Sequence, residues 1–116
     1  MINVGSGLLF DVFQRDENGE PVGHQSVWME PRSLWVMTDS VYRDYLHGVA
    51  PREADPISLA NFPVNSTLLT PASQQKLLLA VEEGPIPRQL RYSLTFRLVL
   101  NTRKMPKGLL NALSKK

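Results

Sequence analysis

The sequence feature that most constrains the fold is the dipeptide Asn18-Gly19, which lies between two runs of strand-forming residues. An Asn-Gly pair favours the tight turn of a β-hairpin because both residue types tolerate positive φ. The run GLLFDVF, residues 7–13, precedes the dipeptide, and the run QSVWME follows it from Gln25. The spacing therefore predicts two antiparallel strands joined near Asn18-Gly19.

The predicted strands have apolar residues on both faces, whereas a half-solvated strand would alternate between apolar and polar residues. Pro31 breaks the chain after the hairpin, and the run SLWVM, Ser33–Met37, follows as a further predicted strand. We expect these strands to be covered on both sides or to line a tight cavity.

Two helices are predicted between the strands. The segment TDSVYRDYLH, residues 38–47, opens with capping residues and should form one or two helical turns that deliver His47 to the next strand. Residues 48–69 have the composition of a loop. The longer helix should start after Thr70 as N-cap and stop at Gly84.

The chain has 116 residues, 42% of them hydrophobic and 21% charged, which suits one globular domain. It contains no cysteine, so a disulfide scaffold, a zinc knuckle and a thiol nucleophile are excluded. The apolar run at the N-terminus is too short for a signal peptide or a membrane span, which leads us to expect a cytoplasmic or nuclear protein without a membrane partner. Because predicted strands outnumber helices, the composition favours a mainly β sandwich or barrel with inserted short helices.

Positive charge is concentrated at the C-terminus. Eight of the thirteen Lys and Arg residues and all eleven acidic residues lie in the first hundred positions, so the net charge of +2 arises from the tail. The tail cations are Arg103, Lys104, Lys107, Lys115 and Lys116. Such a tail is either a solvated terminus or a contact for nucleic-acid phosphates or an acidic partner.

The segment RYSLTFR, Arg91–Arg97, alternates between polar and apolar residues. In a strand, Arg91, Ser93, Thr95 and Arg97 share one face, and Tyr92, Leu94 and Phe96 share the other. Two interpretations are open: a half-buried strand with a solvated side, or a strand whose polar face lies inside a barrel, where the two guanidinium groups bind an anion.

The two histidines offer no metal site by themselves. His24 lies in a turn-rich stretch and is predicted to be a solvated loop residue, while His47 precedes Gly48 and is predicted to be either a packed residue or a ligand. No His-x-Asp, His-x-His or Glu-x-x-His pattern occurs in the sequence, and no glycine-rich phosphate loop is present.

Taken in order, PRSLWVMTDSVYRDYLHGV and the downstream RYSLTFR resemble the C-terminal half of the AlkB-type iron(II) and 2-oxoglutarate-dependent dioxygenases, with the closest resemblance to the AlkB homologue 6 subgroup. In that family a strand similar to INVGSGLLFDVF precedes a variable hairpin, a Leu-His-Gly follows, and an arginine pair separated by five residues comes last. The resemblance covers nearly the whole chain apart from residues 48–87. His-Gly plus the double arginine, in this order, is more specific than any single motif.

The resemblance implies a partial double-stranded β-helix, or jelly roll, over residues 1–100, with a loop and helix insert at about 48–87 and a basic tail at 101–116. It implies an oxidoreductase domain that carries out oxidative demethylation, with nucleic acid as the usual substrate. Its cofactors would be Fe(II) and 2-oxoglutarate.

The resemblance also assigns roles to four residues. His47 corresponds to the third protein ligand of the iron, and Arg91 and Arg97 correspond to the arginines that hold the two carboxylates of 2-oxoglutarate. Ser93 occupies a position that faces the same ligand. Guanidinium groups suit carboxylates because they bind them bidentately and stay charged.

One departure from the family pattern limits what this chain would do alone. The first two iron ligands of the family come from a His-x-Asp upstream of the INVGSGLLFDVF-like strand, and this sequence contains no such pair. We therefore expect a fragment, or a chain that is inactive by itself, and whether it acts as an enzyme stays open. The alternative is a non-catalytic β domain, derived from the same fold, that binds nucleic acid or protein.

Overall fold

The computed structural model describes residues 1–97 and Gly108, and this part of the chain is mainly β, as predicted. The strands are β1 (Ile2–Gly5), β2 (Leu8–Arg15), β3 (Pro21–Met29), β4 (Ser33–Leu34), β5 (Leu46–Gly48), β6 (Ala54–Asp55), β7 (Ile86–Pro87) and β8 (Arg91–Leu94). The helices are α1 (Asp39–Asp44) and α2 (Pro71–Glu83), with a 3-10 turn at Ser66–Leu68. Neither α-helix has the length and apolar character needed to cross a bilayer.

The predicted hairpin is confirmed: β2 and β3 pair antiparallel along their length. The connecting loop covers residues 16–20, and Gly19 adopts a φ of 78°. The Asp16 carboxylate accepts hydrogen bonds from the backbone N–H of Asn18 and of Glu20, both 2.9 Å long. Because this side chain organises the loop, the return strand starts at Pro21, four residues before the predicted start at Gln25.

The strands form three small antiparallel sheets. The first sheet has the order β4-β1-β8, the second has the order β3-β2-β5, and β6 pairs with β7 alone. Consecutive strands β1 and β2 belong to different sheets, so the chain crosses between the two larger sheets near Ser6 and Gly7.

The second sheet, β3-β2-β5, is covered on both faces at residues 8–11 and 26–29, as the apolar pattern predicted. On one face Leu9 and Trp28 pack against α2 and its neighbours, Ile57, Leu77, Ala80 and Ile86. On the other face a separate buried cluster contains Leu8, Phe10 and Met29, with Met1, Val12, Trp35 and Met37 packed against it. Strand alternation explains the division, because Leu8 and Phe10 point away from Leu9. The prediction of two covered faces is wrong for the run Ser33–Met37, in which Leu34 and Val36 are 70% and 73% exposed.

Helix α2 begins and ends where the sequence predicts. The Thr70 hydroxyl accepts a hydrogen bond of 3.3 Å from the N–H of Ser73, Pro71 is the first helical residue, and Gly84 ends the helix with a φ of 110°. The Glu30 carboxylate accepts from the Thr70 N–H at 2.9 Å and from its hydroxyl at 2.7 Å. These contacts tie the start of α2 to the end of the hairpin.

An ion pair with a fully buried carboxylate fixes the insert to the second sheet. Arg88 donates to Asp55 through Nε and Nη2, over 2.9 and 2.6 Å, and Arg52 Nε donates to the same carboxylate over 2.9 Å. The backbone N–H of Leu9 also donates to Asp55, at 3.3 Å. Four hydrogen bonds thereby satisfy a charge that would otherwise be costly to bury.

Three predicted elements differ in extent. The strand expected at Ser33–Met37 is shorter: β4 covers only Ser33–Leu34, and its pairing with β1 continues through Trp35, which exchanges backbone hydrogen bonds with Met1. The segment 48–69, predicted as a loop, contains β6 and the 3-10 turn. The C-terminal strand ends at Leu94, three residues before the end of the alternating segment at Arg97.

Candidate functional site

Strand β8 lies beside β1, and their register fixes which side chains share a face. Gly5 is opposite Arg91 and Asn3 is opposite Ser93, while Val4 is opposite Tyr92. Directly opposed residues in an antiparallel pair project to the same side. The structure thus places Arg91 and Ser93 on the face of Asn3, and Tyr92 on the other face, as the alternation of RYSLTFR predicted.

The apolar side of β8 is exposed, with 64% of Tyr92 and 54% of Leu94 accessible to solvent. Arg91 is the half-buried residue of the strand. The interpretation of a half-buried strand is therefore wrong about the apolar side, because no described element packs over Tyr92 and Leu94, whereas Ser93 on the polar side is exposed as that interpretation expected.

Arg91 is held by a neighbouring side chain. Its Nε donates a hydrogen bond to Oδ1 of Asn3, and its Nη2 lies 4.0 Å from the sulfur of Met1. Burial, followed by the positive charge of Arg88, lowers the pKa of Arg91. Arginine titrates so far above neutrality that the guanidinium group keeps its charge.

His47 lies at the centre of β5, where it is opposite Val12 of β2 and exposed to solvent. Its ring is tilted against that of Phe10, with 5.6 Å between the ring centroids. The preceding helix α1 ends at Asp44, so the predicted delivery of His47 from a helical turn to a strand is confirmed.

His47 and Arg97 line the same cleft, which has a volume of about 770 Å³. Two further arginines, Arg15 and Arg43, contribute to its walls. Its aromatic lining residues are Trp35, Tyr42, Tyr45 and Phe96. Among the described residues, no Asp or Glu lines this cleft, which makes it a cationic and aromatic site.

The predicted site residues are therefore only partly brought together. His47 and Arg97 face one cleft, whereas Arg91 and the exposed Ser93 do not line it. Arg91 lies next to it, because Met1, which its guanidinium approaches, is one of the lining residues. The cleft, with Arg91 behind Met1, is the candidate functional site.

A metal centre does not fit the described residues on their own. Within residues 1–97, no three His, Cys, Asp or Glu side chains are grouped so that they could hold a metal ion. His47 also borders a smaller cavity of about 390 Å³ that Asp11 lines, but this pair does not reach the three protein ligands of a His₂-carboxylate iron site. A carboxylate anion fits the cationic cleft better than an iron ion does.

His24 is exposed, as predicted, but it does not lie in a loop. It lies within β3, its Nε2 is 2.7 Å from Oδ1 of Asp11, and its ring stacks on Phe13 with 4.8 Å between centroids. Asp11 and Phe13 lie on the face of β2 opposite to that of Val12, which is paired with His47. The two histidines therefore belong to different faces of one sheet.

Sequence reasoning missed Arg15, Arg43 and Asn3 as candidate site residues. Arg15 is the last residue of β2, and Arg43 lies in the last turn of α1. Both residues therefore lie at the end of an element that borders the cleft. The signal for Arg43 was present in the sequence, since it lies four residues before His47 in the segment predicted to deliver that histidine. The predicted contacts of the basic tail, Arg103, Lys104 and Lys107, lie outside the described residues.

Comparison of the chain with protein-family models, with curated proteins and with solved structures finds no match in any of the three. The resemblance to AlkB-type dioxygenases thus rests on the order of the Leu-His-Gly and double-arginine motifs. The cleft adds a physical argument, because it brings one histidine and one arginine of those motifs to a common surface.

Proposed function

We propose that this chain is the C-terminal part of an AlkB-like iron(II) and 2-oxoglutarate-dependent dioxygenase domain, and that its cleft binds the 2-oxoglutarate cosubstrate. The observation that carries the proposal is that His47 and Arg97, which lie far apart in the sequence, line one cleft. The same two residues correspond to an iron ligand and a carboxylate-binding arginine of the family.

The charge of the cleft supports a dicarboxylate ligand. Arg15, Arg43 and Arg97 supply positive charge without an acidic neighbour among the described lining residues. A guanidinium group binds a carboxylate through two parallel N–H donors, and such charge-assisted bonds are stronger than neutral ones. In this proposal Arg97 binds one carboxylate of 2-oxoglutarate, and Arg91, beside the cleft, binds the other.

The arrangement of the two larger sheets supports a partial jelly roll. A jelly roll consists of two antiparallel sheets with a shared interior. Here β1 and β2 run consecutively in different sheets, and Met1 beside β1 packs against Leu8, Phe10 and Met29 of the second sheet. His47 projects from the face of β2-β5 that carries this cluster, which is the interior face in the proposed fold.

The iron would require ligands from outside the described residues. His47 would be one protein ligand, and the sequence offers no His-x-Asp for the remaining two. When bound in this family, iron and 2-oxoglutarate together activate oxygen to oxidise a C–H bond. What this chain's own residues contribute in the proposal is the binding and orientation of the cosubstrate.

Calorimetric titration of the full chain with 2-oxoglutarate, in the presence of a metal chelator, tests this function. We expect weak binding, with a dissociation constant of about 1 mM. Arg97→Gln should weaken it at least about tenfold, since a charged hydrogen-bonding partner is removed. Arg32→Gln is the matched control, because Arg32 is exposed and does not line the cleft.

Two outcomes would contradict the proposal. One is no heat of binding at concentrations well above 1 mM, and the other is equal binding by the wild type and Arg97→Gln. A parallel titration with a metal ion replacing the chelator shows whether His47 adds affinity, which His47→Ala should remove.

The four aromatic residues of the cleft favour a second candidate, a non-catalytic module for single-stranded nucleic acid. Aromatic side chains stack on bases, and arginines neutralise phosphates, in proteins that bind single strands without catalysis. This candidate predicts that an oligonucleotide binds with strong salt dependence and that a chelator and 2-oxoglutarate leave its affinity unchanged. Competition between 2-oxoglutarate and the oligonucleotide, lost in Arg97→Gln, would instead support the cosubstrate site.

A further inference from the structure

Asn3 is a polar residue of β1 with no exposure to solvent, and its side chain has an unusually complete set of partners. Its Nδ2 donates to the backbone carbonyl of Glu30 at 2.9 Å and to that of Ser6 at 3.3 Å. Its Oδ1 accepts from Nε of Arg91. A buried amide in a strand is costly unless its donors and acceptor are all used, as they are here.

These contacts fix the orientation of the amide. Both Nδ2 hydrogens are directed to backbone carbonyls, so rotating the amide by half a turn would place two acceptors against each other. Oδ1 must therefore point to the side where Arg91 lies. The register agrees, because Asn3 is opposite Ser93 and Gly5 is opposite Arg91 on the same face of the sheet.

The contact to Asn3 uses only one edge of the Arg91 guanidinium group. Nε is engaged by Oδ1, while Nη2 contacts only the Met1 sulfur, at 4.0 Å. No oxygen of the described residues accepts from Nη1 or Nη2. The two terminal nitrogens form the edge that binds a carboxylate bidentately.

We propose that Asn3 is a positioning residue of the carboxylate site: it holds Arg91 by Nε so that the terminal edge of the guanidinium group meets one carboxylate of a dicarboxylate ligand. This inference rests on the proposed function, in which 2-oxoglutarate binds at the cleft. Asn3 does not touch the ligand. It lowers the conformational entropy that Arg91 would lose when the ligand binds.

The inference makes a specific prediction about ligand choice. If Arg97 binds one carboxylate and the Asn3-Arg91 pair binds the other, loss of Asn3 should affect only ligands that carry the second carboxylate. 2-Oxobutyrate is a suitable comparison because it has the keto acid group and lacks the second carboxylate. If Asn3 had only a structural role, its loss would lower the affinity for both ligands equally.

The test measures the affinities of the full chain for 2-oxoglutarate and 2-oxobutyrate in the wild type, Asn3→Ser, Arg91→Gln and the double variant. We expect Asn3→Ser to lower the affinity for 2-oxoglutarate about tenfold and the affinity for 2-oxobutyrate less than about twofold. The double variant should bind 2-oxoglutarate no more weakly than Arg91→Gln, because the two residues act as one unit. Equal weakening of both ligands, or additive losses in the double variant, would overturn the inference.

A second measurement keeps the test decisive if Asn3→Ser does not fold. In the wild type, the Nε–H signal of Arg91 should be separated from those of the solvated arginines and should exchange slowly with water. Arg91→Lys, which lacks the Nε–H and the fork, should lose the preference for 2-oxoglutarate over 2-oxobutyrate. An Arg91 Nε–H that exchanges as fast as that of Arg32, or a preference retained by Arg91→Lys, would contradict the inference.

The same data separate the inference from the proposed function. A wild type that binds neither ligand contradicts the cosubstrate site itself. A wild type that binds 2-oxoglutarate through Arg97, together with an unchanged ligand preference in Asn3→Ser, contradicts the role of Asn3 alone.

Discussion

The two larger sheets differ in how their apolar residues are covered. Sheet β3-β2-β5 is buried on both faces at residues 8–11 and 26–29, by the clusters around Trp28 and around Met29. Sheet β4-β1-β8 turns an apolar face to solvent, on which Val4, Leu34, Tyr92 and Leu94 are between 42% and 70% exposed. The sheet that carries Arg91 therefore depends much less on apolar packing within the described part of the chain.

This difference predicts which sheet supplies most of the stability. The free energy of folding should come mainly from the covered sheet, because burial of apolar area is the dominant favourable term. The exposed sheet is held by strand pairing and by the buried amide of Asn3. Substitutions on its apolar face should consequently cost little, whereas equivalent changes in the covered sheet should be severe.

The largest expected effect is that of Trp28→Ala. Trp28 is 1% exposed and packs against α2, so the change should lower the free energy of unfolding by about 4 kcal/mol through lost burial and a cavity. Tyr92→Ser in the exposed sheet should change it by less than about 0.5 kcal/mol. Urea unfolding of both variants checks the comparison, which fails if Tyr92→Ser is as destabilising as Trp28→Ala.

The next effect concerns the buried ion pair of the insert. Arg88→Gln should cost about 3 kcal/mol, because it leaves the Asp55 carboxylate with Arg52 as its remaining cation. Arg52→Gln removes the more exposed partner, and we expect a smaller loss. Thermal unfolding of the two variants should reproduce this order, and the reverse order would show that Arg52 is the main partner.

The third effect concerns Asn65, whose side chain pairs with backbone groups of β3 at the edge of the covered sheet. Its side chain accepts from the backbone N–H of Trp28 and donates to the carbonyl of the same residue, with both distances 2.9 Å. Asn65→Ala leaves two strand groups unpaired and should cost about 2 kcal/mol. Amide hydrogen exchange at Trp28 should accelerate in this variant. Unchanged protection of that amide would mean that other groups satisfy it.

The smallest effect is a pH dependence at the contact between the hairpin and α2. Burial would raise the pKa of Glu30, but hydrogen bonds from Ser73 and Thr70 outweigh it and lower the pKa below its ordinary value of 4.5. The stabilisation that these hydrogen bonds give to the folded state is therefore complete at pH values above the ordinary pKa of a glutamate. It is lost as the pH falls through the lower pKa that Glu30 has in the folded state.

Glu30→Gln checks this sign. The variant should be less stable than the wild type at pH 7, and the difference should shrink in acid, where the wild type becomes protonated. A difference that grows as the pH falls would contradict the direction of the shift. The effect should be modest because Glu30 is only partly buried.

The elements that the sequence predicts well are those with local signals. Helix α2 has a capping threonine, a proline at its first position and a terminal glycine, and the hairpin has Asn18-Gly19. The burial of both faces at residues 8–11 and 26–29 also follows from their composition. These signals act within a few residues of the chain and need no knowledge of the remaining fold.

The features that the sequence could not supply depend on distant contacts. The pairing of β4 with β1 is extended by the hydrogen bonds between Trp35 and Met1, and His24, although exposed, contacts Asp11 on the neighbouring strand. Both features join residues that are distant in the sequence. The place of Arg15 in the cleft depends on how the two sheets meet. For the candidate site, His47 and Arg97 could be predicted from motif order, whereas the link from Asn3 to Arg91 could not.

The most direct test of the central claim, that His47 and Arg97 form one 2-oxoglutarate site, is a titration of the isotopically labelled chain followed by NMR at the two histidine rings and the arginine Nε–H groups. His24 is an internal control, because it lies on the opposite face of the same sheet. We expect the signals of His47 and Arg97 to shift together with one dissociation constant while those of His24 stay unchanged. Shifts confined to His24, or different constants for His47 and Arg97, would contradict it.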